Sequence, residues 1–229
     1  MTASSPPERL VWDLPLRVTH WALVLAVAGC WATHYAGIEW FDWHRRFGYT
    51  ALVLVVFRIA WGFVGTRHAR FASFVRGPGA VVAYLRGGGG PTVGHNPLGA
   101  LSVLAMLALL LLQASSGLFA NDEIMHMGPF YGWIAPELSN RITTLHRSNS
   151  DWLLVLIGLH LAAVAYYVHV RRQALVRAML TGRKPADLVP ASEATAASRL
   201  PLAIAIVTVF AIALGLAVRA APEATIALY

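Results

Sequence analysis

The stretch HRSNSDWLLVLIGLH, residues 146–160, sets an imidazole at each end of a segment that is almost wholly apolar after Asp151. The oily run continues to Val170, long enough for an α-helix to cross about 30 Å of hydrocarbon. A helix rises about 1.5 Å and turns about 100° per residue, so 160 − 146 = 14 residues put His146 and His160 about 21 Å apart and within about 40° of one face. They form two separate levels on one stripe of a single helix.

Four similar windows surround it, at roughly 21–37, 47–64, 98–119 and 200–218. With 152–170 they predict five spanning helices separated by Gly- and Pro-rich breaks such as RGPG, RGGGGPTVGHNP and GPFYGWIAPELSN. The 229-residue chain is 57% hydrophobic and 13% charged, with a mean hydropathy of +0.58. Such a composition excludes a water-soluble domain of this length. The fold class is therefore all-α and membrane-embedded. A single Cys30 excludes an internal disulfide, and no CxxC or CxxCH supplies a thiolate metal site or a covalently attached haem. VAGC, 27–30, has the form of a lipoprotein cleavage site, but Glu8 and Asp13 dilute the basic leader and the apolar run continues past it, so Cys30 is expected in the core.

The formal charge of +7 does not mark a nucleic-acid binder, because the basic residues flank the spans. With the N-terminus inside, Arg9, Arg17, Arg67, Arg70, Arg76, Arg86, Arg171, Arg172, Arg177, Arg183, Lys184 and Arg199 fall on the cytoplasmic side, against Arg45, Arg46, Arg141, Arg147 and Arg219 outside. Twelve against five predicts a cytoplasmic N-terminus, with the C-terminal Tyr229 outside.

A histidine inside a bilayer is costly unless paired or ligated. On this topology His20 begins helix 1 at the inner level and faces His160, while His44 precedes helix 2 at the outer level and faces His146, which opens helix 4. Two imidazoles from different helices with no thiolate or carboxylate between them suit the axial positions of a b-type haem, whereas zinc or copper would recruit further ligands. His34, about four helical turns after His20, shares its stripe and competes with His44 for the outer level. His169 is expected at the interface, and His68, His95 and His126 in solvated loops, with a proton or quinone role for His95 as the alternative. HNP reads as an Asn96 cap before Pro97 at the first helical position.

The ordered set VWDLPLRVTHW (11–21), HRRFGYTALVLVVFRIAWGFVGTRHARFASFVRGP (44–78), GHNPLGALSVLAMLALL (94–110), LHRSNSDWLLVLIGLHLAAV (145–164) and RAMLTGRKP (177–185) resembles the bacterial cytochrome b561 family and the related b-type cytochrome subunits of nickel-iron hydrogenases. The resemblance implies a four-helix bundle over residues 1–185 holding two b haems, each between two histidines, that passes electrons between a periplasmic partner, a hydrogenase or a c-type cytochrome, and membrane quinone in the bacterial inner membrane. Its ligand positions are matched by His20, His44, His146 and His160. Arg17 at the inner level and Arg45, Arg46 or Arg147 at the outer become candidate propionate clamps. Arg58, inside helix 2, requires an internal anion or carbonyl, either a propionate or a helix contact. The stretch 186–199 reads as a linker to a fifth helix, 200–229 with its tail, which the resemblance does not cover and which offers no ligand. No acid–base dyad marks a catalytic residue. The alternatives are a superoxide or quinone oxidoreductase acting at the outer haem and a non-redox membrane anchor.

Overall fold

A computed structural model describes residues 7–88 and 92–222. The middle of the Gly-rich break and the tail that carries Glu223 and Tyr229 lie outside it. Eight helices are found among the described residues: α1 (Leu14–Ala36), α2 (Phe41–Val64), α3 (Phe71–Phe74), α4 (Pro78–Leu85), α5 (Pro97–Gly117), α6 (Pro136–His169), α7 (Leu175–Thr181) and α8 (Leu200–Ala220). Five segments, Leu14–Ala36, Ile38–Val64, Pro97–Gly117, Pro136–His169 and Leu200–Ala220, are long and apolar enough to cross a membrane. Many of their large apolar side chains, among them Leu25, Trp152, Leu159, Val209 and Leu216, are exposed. That is how a chain solvated by lipid tails differs from one solvated by water, because an outward leucine costs nothing in hydrocarbon.

Helices α1, α2, α5 and α6 start upstream of their apolar windows. Asp13 caps α1, its Oδ1 accepting the Leu16 amide at 2.7 Å, which satisfies one of the donors that a helix start leaves open. Asn96 does the same for α5, accepting from Gly99 at 2.7 Å. Pro97 follows in the first turn, where its missing N–H costs nothing. The largest departure is α6, which begins at Pro136 with Glu137 in its first turn. His146 therefore sits ten residues inside a helix instead of opening one, and His20 and His44 likewise lie within α1 and α2.

The chain divides into two compact units. One takes in 1–20, 58–105 and 157–204. Its core gathers Val11, Trp12, Leu16, Trp61, Phe74, Ala100, Ala178 and Val189 around a fully buried Asp13. Gly62 lets α3 close onto α2, since a Cβ there would lie 2.1 Å from Cε2 of Phe71. A two-stranded antiparallel ladder, β1 (Glu8–Leu10) with β2 (Arg183–Pro185), pairs Glu8 with Pro185 and Leu10 with Arg183. Gly182, at φ 79° behind α7, ends that helix in the left-handed conformation that favours glycine. The stretch expected as a linker is docked in this unit: Thr195 donates to Val11 O at 2.9 Å, and the main chain of Ser192 and Glu193 accepts from Arg67 and His68 at 2.8 and 2.7 Å.

The other unit takes in 21–57, 106–156 and 205–229. Its buried residues include Ala26, Ala51, Val55, Phe57, Leu107, Leu110, Leu118, Phe130 and Leu153. Gly29 allows α1 and α2 to approach, because a Cβ would meet the Phe47 ring at 2.7 Å.

Candidate functional site

Two histidine pairs stand out, one in each unit. In the first, His20 of α1 and His160 of α6 lie within Coulombic range of each other. Arg17, one turn before His20, donates to the main-chain carbonyl of Leu180. Arg58 is buried and donates to Ala69 O at 3.3 Å, with its guanidinium 5.4 Å from the Phe71 ring centre and within electrostatic reach of Asp13. Of its two expected kinds of partner, the structure supplies the carbonyl, with the Asp13 carboxylate within electrostatic range.

In the second pair, His146 of α6 lies within electrostatic range of His44 of α2. Here the ring chemistry is defined. Nδ1 of His44 lies 2.9 Å from Cys30 O, and Nδ1 of His146 lies 3.0 Å from Gln113 O. A carbonyl oxygen only accepts, so in each neutral ring Nδ1 carries the hydrogen and Nε2 keeps its lone pair. This is the tautomer an axial iron ligand needs, with the second nitrogen anchored to the main chain. Gly117 leaves room for the ring, since a Cβ there would lie 3.0 Å from Cε1 of His146. The residues thus fit a bis-imidazole haem. Among the described residues, no group of three or more His, Cys, Asp or Glu side chains could hold a metal ion by itself.

His34 is exposed, with its ring centre 6.3 Å from that of His44 and 5.0 Å from that of Tyr35. The anchoring bond at this level belongs to His44. Arg45 pairs with Asp42 one turn away, and Arg147 is exposed but within electrostatic range of His146.

Three histidines expected in solvated loops are covered instead. His68 is buried and donates from Nε2 to Glu193 O; burial lowers its pKa despite that bond. His95 stands between Trp12 and Phe74, at ring distances of 4.8 and 4.6 Å, and its Nδ1 is shut from solvent without a hydrogen-bond partner. Burial first, then the charges of Arg58 and Lys184, push its pKa down to about 3, so it is neutral at physiological pH. His126 stacks on Phe41 at 4.1 Å, with its Nε2 shut from solvent. Loop position says where a residue lies in the chain, not what folds over it: His68 is covered by a segment 125 residues away. His169, expected at the interface, is exposed at the end of α6. Both His68 and His95 line a cavity of about 1000 Å³, together with Arg67, Arg70, Phe71 and Tyr84.

Sequence reasoning missed the polar residues around His146. Ser116 and Asn149 are buried, and Gln113 and Asn149 are joined through their amides. The available signal was Gln113 itself, an amide directly after LALLLL, where an unpaired polar group is costly.

The model of the prokaryotic cytochrome b561 family matches residues 11–182. A curated relative from Azotobacter chroococcum mcd 1, named a probable Ni/Fe-hydrogenase B-type cytochrome subunit, is 24% identical over 75% of this chain and 86% of its own length. No solved structure matches.

Proposed function

We propose that this chain, which belongs to the prokaryotic cytochrome b561 family and is thereby a multi-pass membrane b-type cytochrome of electron transport, carries two b haems and passes electrons between a periplasmic redox protein and membrane quinone. The observation that carries this reading is the pair of rings at His44 and His146, each anchored through Nδ1 to a main-chain carbonyl. When bound, haem b supplies a one-electron iron couple, while the protein sets ligation, orientation and dielectric. In this reading His44 and His146 hold the outer haem and His20 and His160 the inner one. Arg17, Arg45 and Arg147 lie near enough in sequence to the ligands to meet propionates. Arg58 serves the inner level through its place beside Asp13 and Ala69. The cavity beside His95 supports a quinone headgroup at the inner level, because His95 lies within Coulombic range of His160 and brings a neutral imidazole to the cavity wall.

A hydrogenase is the periplasmic partner favoured by the relative's name. Residues 1–185 form the haem-binding part, 186–199 the connection, and α8 an added span without ligands. The inner membrane, with the N-terminus cytoplasmic and the C-terminus periplasmic, follows from the arginine bias.

Two measurements test this reading. The full chain, purified after expression with ample haem and reduced with dithionite, should show the α-band of a b-type haem at about two haems per chain. A colourless product, or one haem per chain, refutes the dihaem assignment. Periplasm-dependent reporters fused near Arg76 and Lys184 should be silent, and fused near Glu123 they should be active; the opposite pattern inverts the topology.

A further inference from the structure

Gln113 holds both nitrogens of the His146 ring. Its main-chain carbonyl lies 3.0 Å from Nδ1, and its side-chain Nε2 lies 3.1 Å from Nε2 of the same imidazole. The direction of each bond is fixed by its neighbours. The side-chain amide nitrogen of Asn149 reaches Leu109 O at 3.0 Å and Gln113 Oε1 at 2.6 Å, and such a nitrogen can only donate. Gln113 therefore presents its oxygen to Asn149 and its NH₂ to His146. An NH₂ facing Nε2 requires a lone pair there, in agreement with the hydrogen that Gln113 O draws to Nδ1. Ser116, which donates to Gln113 O at 3.0 Å and lies 3.0 Å from Nδ1, completes the surround.

We propose that Gln113, oriented by Asn149, is a positioning residue for His146: its main-chain carbonyl and side-chain amide together hold the ring in the Nδ1–H tautomer, with the lone pair on Nε2. This rests on the reading of His146 as an axial ligand. A neutral amide donor favours a lone pair on Nε2, whereas a carboxylate in its place would hold a proton there.

The test uses the full chain in detergent, before and after haem loading. ¹⁵N NMR of the haem-free protein should find His146 neutral with its hydrogen on Nδ1. Gln113→Leu keeps the main-chain carbonyl at Nδ1 but removes the donor at Nε2, so the Nε2–H tautomer should gain a minor population. Gln113→Glu, nearly the same in shape, should move a hydrogen to Nε2, and so should Asn149→Asp, which leaves His146 untouched but can no longer donate to Gln113 Oε1. Haem titration should show the affinity of one site falling about tenfold in Gln113→Leu and further in Gln113→Glu, with the other site unchanged. Wild-type tautomer and affinity in Gln113→Glu and Asn149→Asp overturn the proposal, as does tighter haem binding in Gln113→Leu. His146→Ala separates the two levels of the argument: loss of one haem there, with no effect of the Gln113 variants, overturns the positioning role alone, and retention of both haems overturns the ligand assignment and the positioning role together.

Discussion

Replacing His146 with alanine should halve the haem content of the purified protein, from about two per chain to about one, and His160→Ala should do the same. The two histidines share the unbroken helix α6, and the proposed pairing sets His146 with His44 and His160 with His20, each within electrostatic range of the other. One iron takes two axial imidazoles, so losing either member of a pair releases the same haem. The double variants His20→Ala/His160→Ala and His44→Ala/His146→Ala should therefore retain about one haem, no less than the single variants. A variant that crosses the pairs, His20→Ala/His146→Ala, should retain none. Pyridine haemochrome against protein mass measures all of these directly. One haem left in the crossed double would mean that the pairs are wrongly drawn, and two haems left in His44→Ala would transfer the outer position to His34.

The second large effect is on stability. Asp13 has no exposed surface and accepts from the Leu16 amide, from Trp61 Nε1 at 3.1 Å and from the Thr66 hydroxyl, with Arg58 in electrostatic reach. Asp13→Ala removes a helix cap and the carboxylate that accepts from the Trp61 indole and the Thr66 hydroxyl, and takes a negative charge away from the buried Arg58 guanidinium. Each buried donor that loses its acceptor costs about 1–3 kcal/mol, so the combined loss should be several times that of a surface substitution. Asp13→Asn keeps acceptors for the cap and the indole but loses the charge, so it should cost less, about 1.5–3 kcal/mol. Thermal unfolding in detergent followed by circular dichroism reads both. In Asp13→Ala/Arg58→Ala the loss should be smaller than the sum of the single losses, because the second change removes the charge that the first strands. Additive losses, or an unchanged midpoint in Asp13→Ala, would show that this cluster is not what holds the unit together.

The spans were legible because hydropathy reports what lipid tolerates, and five windows of sufficient length admit few other readings. Helix ends were not legible for the same reason. PELSNRITTLHRSNS is too polar to register as a span, yet it is the first four turns of α6, helical through its proline start and continuous with the apolar run. Spacing and resemblance propose four histidines at two levels, but the polar shell behind His146 was not legible, because Gln113 and Asn149 meet across two helices and nothing in either local sequence names the other. His68 and His95 were misjudged for a related reason: Trp12, Phe74 and Glu193 bury them from parts of the chain that share no sequence neighbourhood.

The small ladder between β1 and β2 also sets an order of events during synthesis. Glu8 pairs with Pro185, which a ribosome reaches only after making all of the family-matched residues 11–182. Ribosomes add about 5–20 residues per second, so the strand at Glu8–Leu10 waits about ten to thirty-five seconds for its partner. By then α1, α2, α5 and α6 have all been made. The N-terminal segment that leads into the Asp13 cap is thus secured late, and the ladder works as a latch that closes only on a chain whose α1, α2, α5 and α6 already exist.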